Sequence, residues 1–153
     1  MEYSGSFYVD RKLDDETLKL LEDIITKSNA NDNNEEPKRY KFSNGTVTLL
    51  PTAWSCPLKY NNTHTTIEVI NKDKETEGDE VGKWIIYFIK NIFKPRRYIL
   101  NGSIGWRNII EDNDDGFDNT CQENDIIGGK IEVHDNIVSM FALKVVYEQV
   151  FNW

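Results

Sequence analysis

The chain is 153 residues long, with a hydrophobic fraction of 39%, aromatics at 12% and a formal net charge of −8. That length fits one domain able to bury a core without staples, and the aromatic content excludes a chain disordered throughout. An isoelectric point near 4.8 argues against nucleic acid or an anionic membrane as a direct partner, since both recruit basic surfaces.

In chain order, "SGSFYVDRKL" alternates at Phe7 and Val9 and predicts an opening strand. A helix follows. Asp14 is its expected N-cap, Asp15 and Glu16 place anions in the first turn, and Leu13 with Leu18 have the spacing of a hydrophobic staple. Leu18, Leu21, Ile24 and Ile25 give it an apolar stripe. Residues 29–38 are polar and of low complexity, and read as a mobile loop. Asn44-Gly45 between two short alternating runs predicts a hairpin. "PTAWSCPLKYNNTH" reads as irregular, broken by Pro51 and Pro57, and "TTIEVI" as a strand. A charged linker, 71–79, leads to a second helix with a wide apolar stripe through Val81, Trp84, Ile85, Phe88, Ile89, Ile92 and Phe93, stopped by Pro95. "YILNGSIGW" is a strand in which Gly102 and Gly105 suggest a bulge or close approach. The loop 111–128 precedes a strand through Val133, a turn at Asp135-Asn136, and one or two more strands. The order is β-α-β-β-β-α-β-β-β. It predicts a single α+β domain over 1–153, two helices on a mainly antiparallel sheet, with a ferredoxin-like split βαβ as the nearest simple pattern.

The most distinctive chemistry is in "EDNDDGFDN", where Glu111, Asp112, Asp114, Asp115 and Asp118 fall within a short loop. Three readings stay open. A Ca²⁺ or Mg²⁺ site on Asp112, Asp114, Asp115 and Asp118 would need about six to eight oxygens for calcium, and the EF-hand spacing fails at Gly116 and Phe117. A solvated turn would keep its like charges in water. A partner-facing patch would steer toward a basic protein. His64 and His134 read as surface histidines. With Cys56 and Cys121 they make a Cys₂His₂ set that has no local chelating pair. The two cysteines allow one disulfide, though free thiols are the commoner state inside cells. Dinucleotide, P-loop and serine-elbow motifs are absent, so neither a cofactor nor a catalytic group is assigned. "KPRRY", Lys94 to Tyr98, could meet a phosphate but better suits the C-terminal end of the second helix. Trp84 is expected in the core. Trp106 suits core packing or a binding anchor, and Trp54 is the tryptophan most readily read as exposed and functional. No basic-then-apolar leader opens the sequence and the longest apolar run, Trp84 to Ile89, is too short for a bilayer, so a cytoplasmic protein is expected. The three sequons, at Asn44, Asn61 and Asn101, are read as coincidence.

Several segments together resemble a family of small uncharacterised proteins of phages, prophages and their low-GC bacterial hosts. The resemblance rests on Leu13 to Thr17, "PTAWSC", Thr65 to Val69 and the helix ended by Lys94-Pro95. Its most specific part runs through Leu100, Asn101, Gly102, Ile104 and Trp106, then Glu111, Asp112, Asp114, Asp115 and Gly116, then Gly129, Ile131, Val133, Asp135, Asn136 and Val138. Arg107 to Ile110 depart from the family pattern, and residues 117–128, with Cys121, look like an insertion. The resemblance implies an origin on mobile elements and no particular mechanism. With the acidity and the missing catalytic motifs, it leads to the expectation of a non-enzymatic accessory protein acting in the host cytoplasm. Such a protein would inhibit a host protein with a basic surface, a nucleic-acid-binding defence component being the concrete version, with Trp54 or Trp106 as anchors. The alternatives are an immunity protein or antitoxin against a basic toxin, and a small-ligand, nucleotide or metal module.

Overall fold

The computed structural model describes residues 2–30, 38–70, 77–108 and 122–151. Strand β1 (Glu2–Val9) leads into α1 (Asp15–Asn29). β2 (Arg39–Lys41) and β3 (Val47–Leu49) form a hairpin of their own, followed by β4 (Leu58–Asn61) and β5 (Thr66–Val69). Helix α2 (Gly78–Phe88) continues into a π-helical stretch, Ile89–Phe93; then come β6 (Leu100–Arg107), β7 (Ile126–His134) and β8 (Ile137–Lys144). The main sheet has the order β4-β5-β1-β6-β7-β8, and every pairing in it is antiparallel. The fold is α+β.

Local rules account for much of this. Asp14 caps α1 as expected: its Oδ1 accepts from Thr17 N at 2.7 Å, and its Oδ2 accepts from the Tyr98 hydroxyl at 3.0 Å. The Thr17 amide, first, and the Tyr98 hydroxyl hold the Asp14 carboxyl below its ordinary range. The capping contribution is therefore present above that range and fades as pH falls through the lowered pKa. At the predicted Asn44-Gly45 turn, Gly45 has φ +91° and Phe42 N donates to Thr46 O. The Asp135-Asn136 turn closes β7 onto β8 with both residues at positive φ, 47° and 68°.

Buried residues alternate at the end of β1, Phe7 with Val9, and along β7, Ile131 with Val133, so one face of the sheet carries the core. Phe7, Leu100, Ile104 and Ile131 lie on the core face with Leu21 and Ile24 of α1 and Val81, Trp84, Ile85 and Phe88 of α2. Aromatic rings run along the second helix and past its end: Trp84 to Phe88 at 5.6 Å, Phe88 to Phe93 at 6.5 Å, Phe93 to Tyr98 at 6.5 Å. The central pair β1–β6 fits together by alternating size, with Phe7 opposite Gly102 and Gly5 opposite Ile104.

Three expectations change. The irregular stretch contains β4, because after Pro57 the chain pairs Leu58–Asn61 with β5 across a tight turn in which Asn61 Oδ1 accepts from Thr63 N and His64 N. The order β6-β1-β5-β4 is that of a ferredoxin-like sheet, but β1 and β5 run antiparallel where a split βαβ needs a parallel pair. The expected loops 71–79 and 111–128 are shorter at their ends, since α2 starts at Gly78 and β7 at Ile126. After the last turn comes one further strand, β8, within the one or two expected. Among the described residues no helix is long and apolar enough to cross a membrane.

Cys56 is a free thiol, buried beside Leu58, with its backbone N–H donating to Ser28 Oγ at 2.9 Å. Burial pushes the thiol up to about 12 from an ordinary 9.0, with Leu58 pulling weakly the other way. Since the folded thiol is the weaker acid, its contribution to stability is complete below pH 9.0 and is lost as pH rises toward 12. In a Cys121→Ser background, Cys56 is expected to resist an aromatic disulfide reagent at pH 8. Urea should raise its labelling rate at least about tenfold. Fast labelling of the native protein would contradict its burial.

Candidate functional site

The end of the sheet where β1 begins and β6 finishes brings together Glu2 opposite Arg107, Tyr3 opposite Trp106, and Ser4 opposite Gly105, with Gly129 of β7 beyond Trp106. Glu2 and Arg107 form an exposed ion pair at 3.2 Å. These residues line a shallow concavity of about 610 Å³. The Trp106 indole is half-buried and covers two glycines: a Cβ on Gly78 or on Gly129 would collide with its ring. The absence of side chains there lets the first turn of α2 and strand β7 close on either side of the indole.

The first turn of α2 adds Asp79 and Glu80 beside the N-cap Glu77, an arrangement the helix dipole favours. Burial and then the neighbouring carboxylates raise two pKa values here. For the Tyr3 phenol they are Glu80, Asp79 and Glu77; for Glu80 they are Asp79 and Glu77, with Lys83 opposing. The end of the sheet is thus a negative rim around two partly buried aromatics. The expected candidates Glu111, Asp112, Asp114, Asp115 and Asp118 lie outside the described residues; the chain leaves this rim at Asn108 and returns at Gln122. At that junction Asn108 N donates to Ile127 O at 2.9 Å, and Gln122 N donates to Asp125 Oδ2 at 2.7 Å.

Trp54 is 65% exposed. Its segment is anchored from below, where Trp84 Nε1 donates to Thr52 Oγ1 at 3.1 Å and Thr52 Oγ1 donates to the Trp54 carbonyl. The two tryptophans therefore answer to different tests. Trp54→Ala should change stability by no more than about 0.5 kcal/mol. Trp106→Ala opens a void between Gly78 and Gly129 and should cost about 2 kcal/mol, read by urea unfolding.

His64 and His134 are on the surface, as expected. Cys56 is in the core, remote in environment from both imidazoles. Among the described residues no group of three or more His, Cys, Asp or Glu comes together in a form that could hold a metal ion. Cys121 lies outside the described residues. "KPRRY" makes contacts at the junction of β1 and α1. Arg11 donates to Arg97 O at 2.9 Å and lies 4.1 Å over the Tyr98 ring, Arg96 faces Glu16 at 3.7 Å, and the Tyr98 hydroxyl accepts from Asp14 N while donating to its carboxylate. No family model, no curated protein and no solved structure matches the chain.

The residues missed in the sequence are Tyr3, Glu77, Asp79 and Glu80. Tyr3 carried no signal, because its neighbours depend on the β1–β6 register. The acids did carry one: two carboxylates after Gly78, directly ahead of an apolar stripe, mark a helix first turn as well as a linker.

Proposed function

We propose that this chain is a non-enzymatic, phage-type accessory protein that works in the cytoplasm of a bacterial host by binding and inhibiting a host protein with a basic surface, concretely the nucleic-acid-binding groove of a defence component. One observation carries the reading: the acids Glu77, Asp79 and Glu80 collect at the start of α2 beside the aromatics Tyr3 and Trp106, at the end of the sheet that leads into the stretch bearing Glu111, Asp112, Asp114, Asp115 and Asp118. Clustered carboxylates steer a basic partner, and an aromatic at the rim supplies the desolvated contact that charge alone does not. The net charge of −8 favours the same class of partner and disfavours nucleic acid.

The reading is tested by capturing partners from a low-GC bacterial lysate with the tagged protein at about 0.05 M and about 0.5 M salt, using the wild type and Trp54→Ala. A specific basic partner, retained at low salt and released at high salt, with retention weakened by Trp54→Ala, supports it. Capture that is indifferent to salt, or that returns only acidic proteins, overturns it.

A further inference from the structure

The two edges of the main sheet are unlike. The β4 edge is short, four residues, is preceded by Pro57 and carries Lys59, all devices that discourage another strand from adding. The β8 edge is neither short nor preceded by proline, and its lysine stands only at its end. It is eight residues long, "IVSMFALK", with no proline, no glycine, no acid and a single lysine at its end. Ile137 is 70% exposed, Leu143 54%, Phe141 46% and Met140 43%. Among the described residues no strand pairs with its outer side.

We propose that β8 is a homodimer seam, pairing antiparallel with β8 of a second copy to make one continuous sheet. A two-fold axis normal to the sheet at Met140 sets Met140 against its own counterpart, Val138 against Ala142, Ile137 against Leu143 and Ser139 against Phe141. Residues opposite one another in this register keep their faces, as antiparallel pairing requires. It is also the register in which charge is complementary. Lys144, the one charge on the strand, comes opposite Asn136 and next to the Asp135 carboxylate in the other copy's β7–β8 turn, and the symmetry repeats this contact at the far end. That turn is held firmly, because Asn136 Oδ1 accepts from Leu100 N at 2.7 Å and its Nδ2 donates to Tyr98 O at 2.8 Å. The adjacent charges on the solvent face, Lys130 and Glu132, already satisfy one another at 2.8 Å, so the seam meets no like-charge row. A second copy thus offers the strand what a charged partner surface cannot: an apolar strand with one carboxylate, Asp135, before its start and one cation, Lys144, at its end. The inference does not depend on the functional reading.

The test uses the full chain. Light scattering after size exclusion should give about twice the 17.8 kDa chain mass, and Ile137→Lys with Leu143→Lys should return the monomer mass with the far-ultraviolet spectrum unchanged. In a Cys121→Ser background, Ile137→Cys and Leu143→Cys are prepared separately. Under mild oxidation neither should form a covalent dimer alone, and an equal mixture should form one readily. A monomeric wild type at about 0.1 mM, leaving the edge to a strand of another protein, overturns the proposal. So does a dimer whose mixed variants cross-link no faster than the single ones.

Discussion

Trp84→Ala is expected to cost about 3–5 kcal/mol, a large part of the total stability of a domain this size. The indole is fully buried, meets the rings of Tyr87 and Phe88 at 6.0 and 5.6 Å, and donates to Thr52 Oγ1. Truncation empties the centre of the α2 stripe and leaves the Thr52 hydroxyl without its donor. Equilibrium urea unfolding checks this as a lower midpoint with an unchanged denaturant slope. A Trp84→Phe change should cost markedly less, because it keeps a ring in the void. A midpoint shift smaller than that of Trp54→Ala would contradict the assignment of Trp84 to the core.

Gly102→Ala is the second large effect, on the order of 3 kcal/mol, from backbone strain and overpacking together. Gly102 sits in β6 at φ +126°, a conformation that side chains rarely adopt. A Cβ there would lie 2.5 Å from Ser6 O and 3.0 Å from Phe7 Cα, both backbone atoms that cannot turn aside. The control is Gly105→Ala on the same strand. Its Cβ would meet nothing closer than 3.7 Å and its φ is not in the positive region, so the change should stay within about 0.5 kcal/mol. Similar losses at the two glycines would mean that β6 tolerates no side chain for some other reason.

The parts legible in the sequence were those set by neighbours along the chain. Asp14 and the acids after it announce a helix start, Asn44-Gly45 a turn, and the stripe from Val81 to Phe93 a helix laid on a sheet. What was not legible depends on partners distant in sequence. Leu58–Asn61 is too short to alternate convincingly, and becomes a strand because β5 lies beside it. The direction of β1 against β5 is fixed by how the chain returns after the β2–β3 hairpin, which no periodicity records. The π-helical stretch is marked by Lys94 N donating to Ile89 O, one residue longer than an α-helical bond, while Pro95 only announces that the helix ends nearby. The sequence places one or two strands after the Asp135-Asn136 turn without fixing their place in the sheet. Only the strand order reveals β8 as an edge.

The candidate site divides in the same way. Exposure of Trp54 followed from its proline-flanked setting, while Trp106, for which core packing and a binding anchor were both open, is half-buried. The negative rim at the start of α2 was not read as a site, because it meets Tyr3 and Trp106 only where Gly78 lies against the Trp106 ring; the acid-rich stretch after Arg107 lies outside the described residues.

The central claim, an acidic surface that binds a basic host protein, is tested most directly by changing Asp112, Asp114 and Asp115 together to Asn and comparing capture from host lysate with the wild type at about 0.05 M salt. The account predicts one stoichiometric basic partner with the wild type, reduced at least about tenfold with the variant, while the urea midpoint is unchanged. Equal capture by the two proteins, or no partner for the wild type, would contradict it.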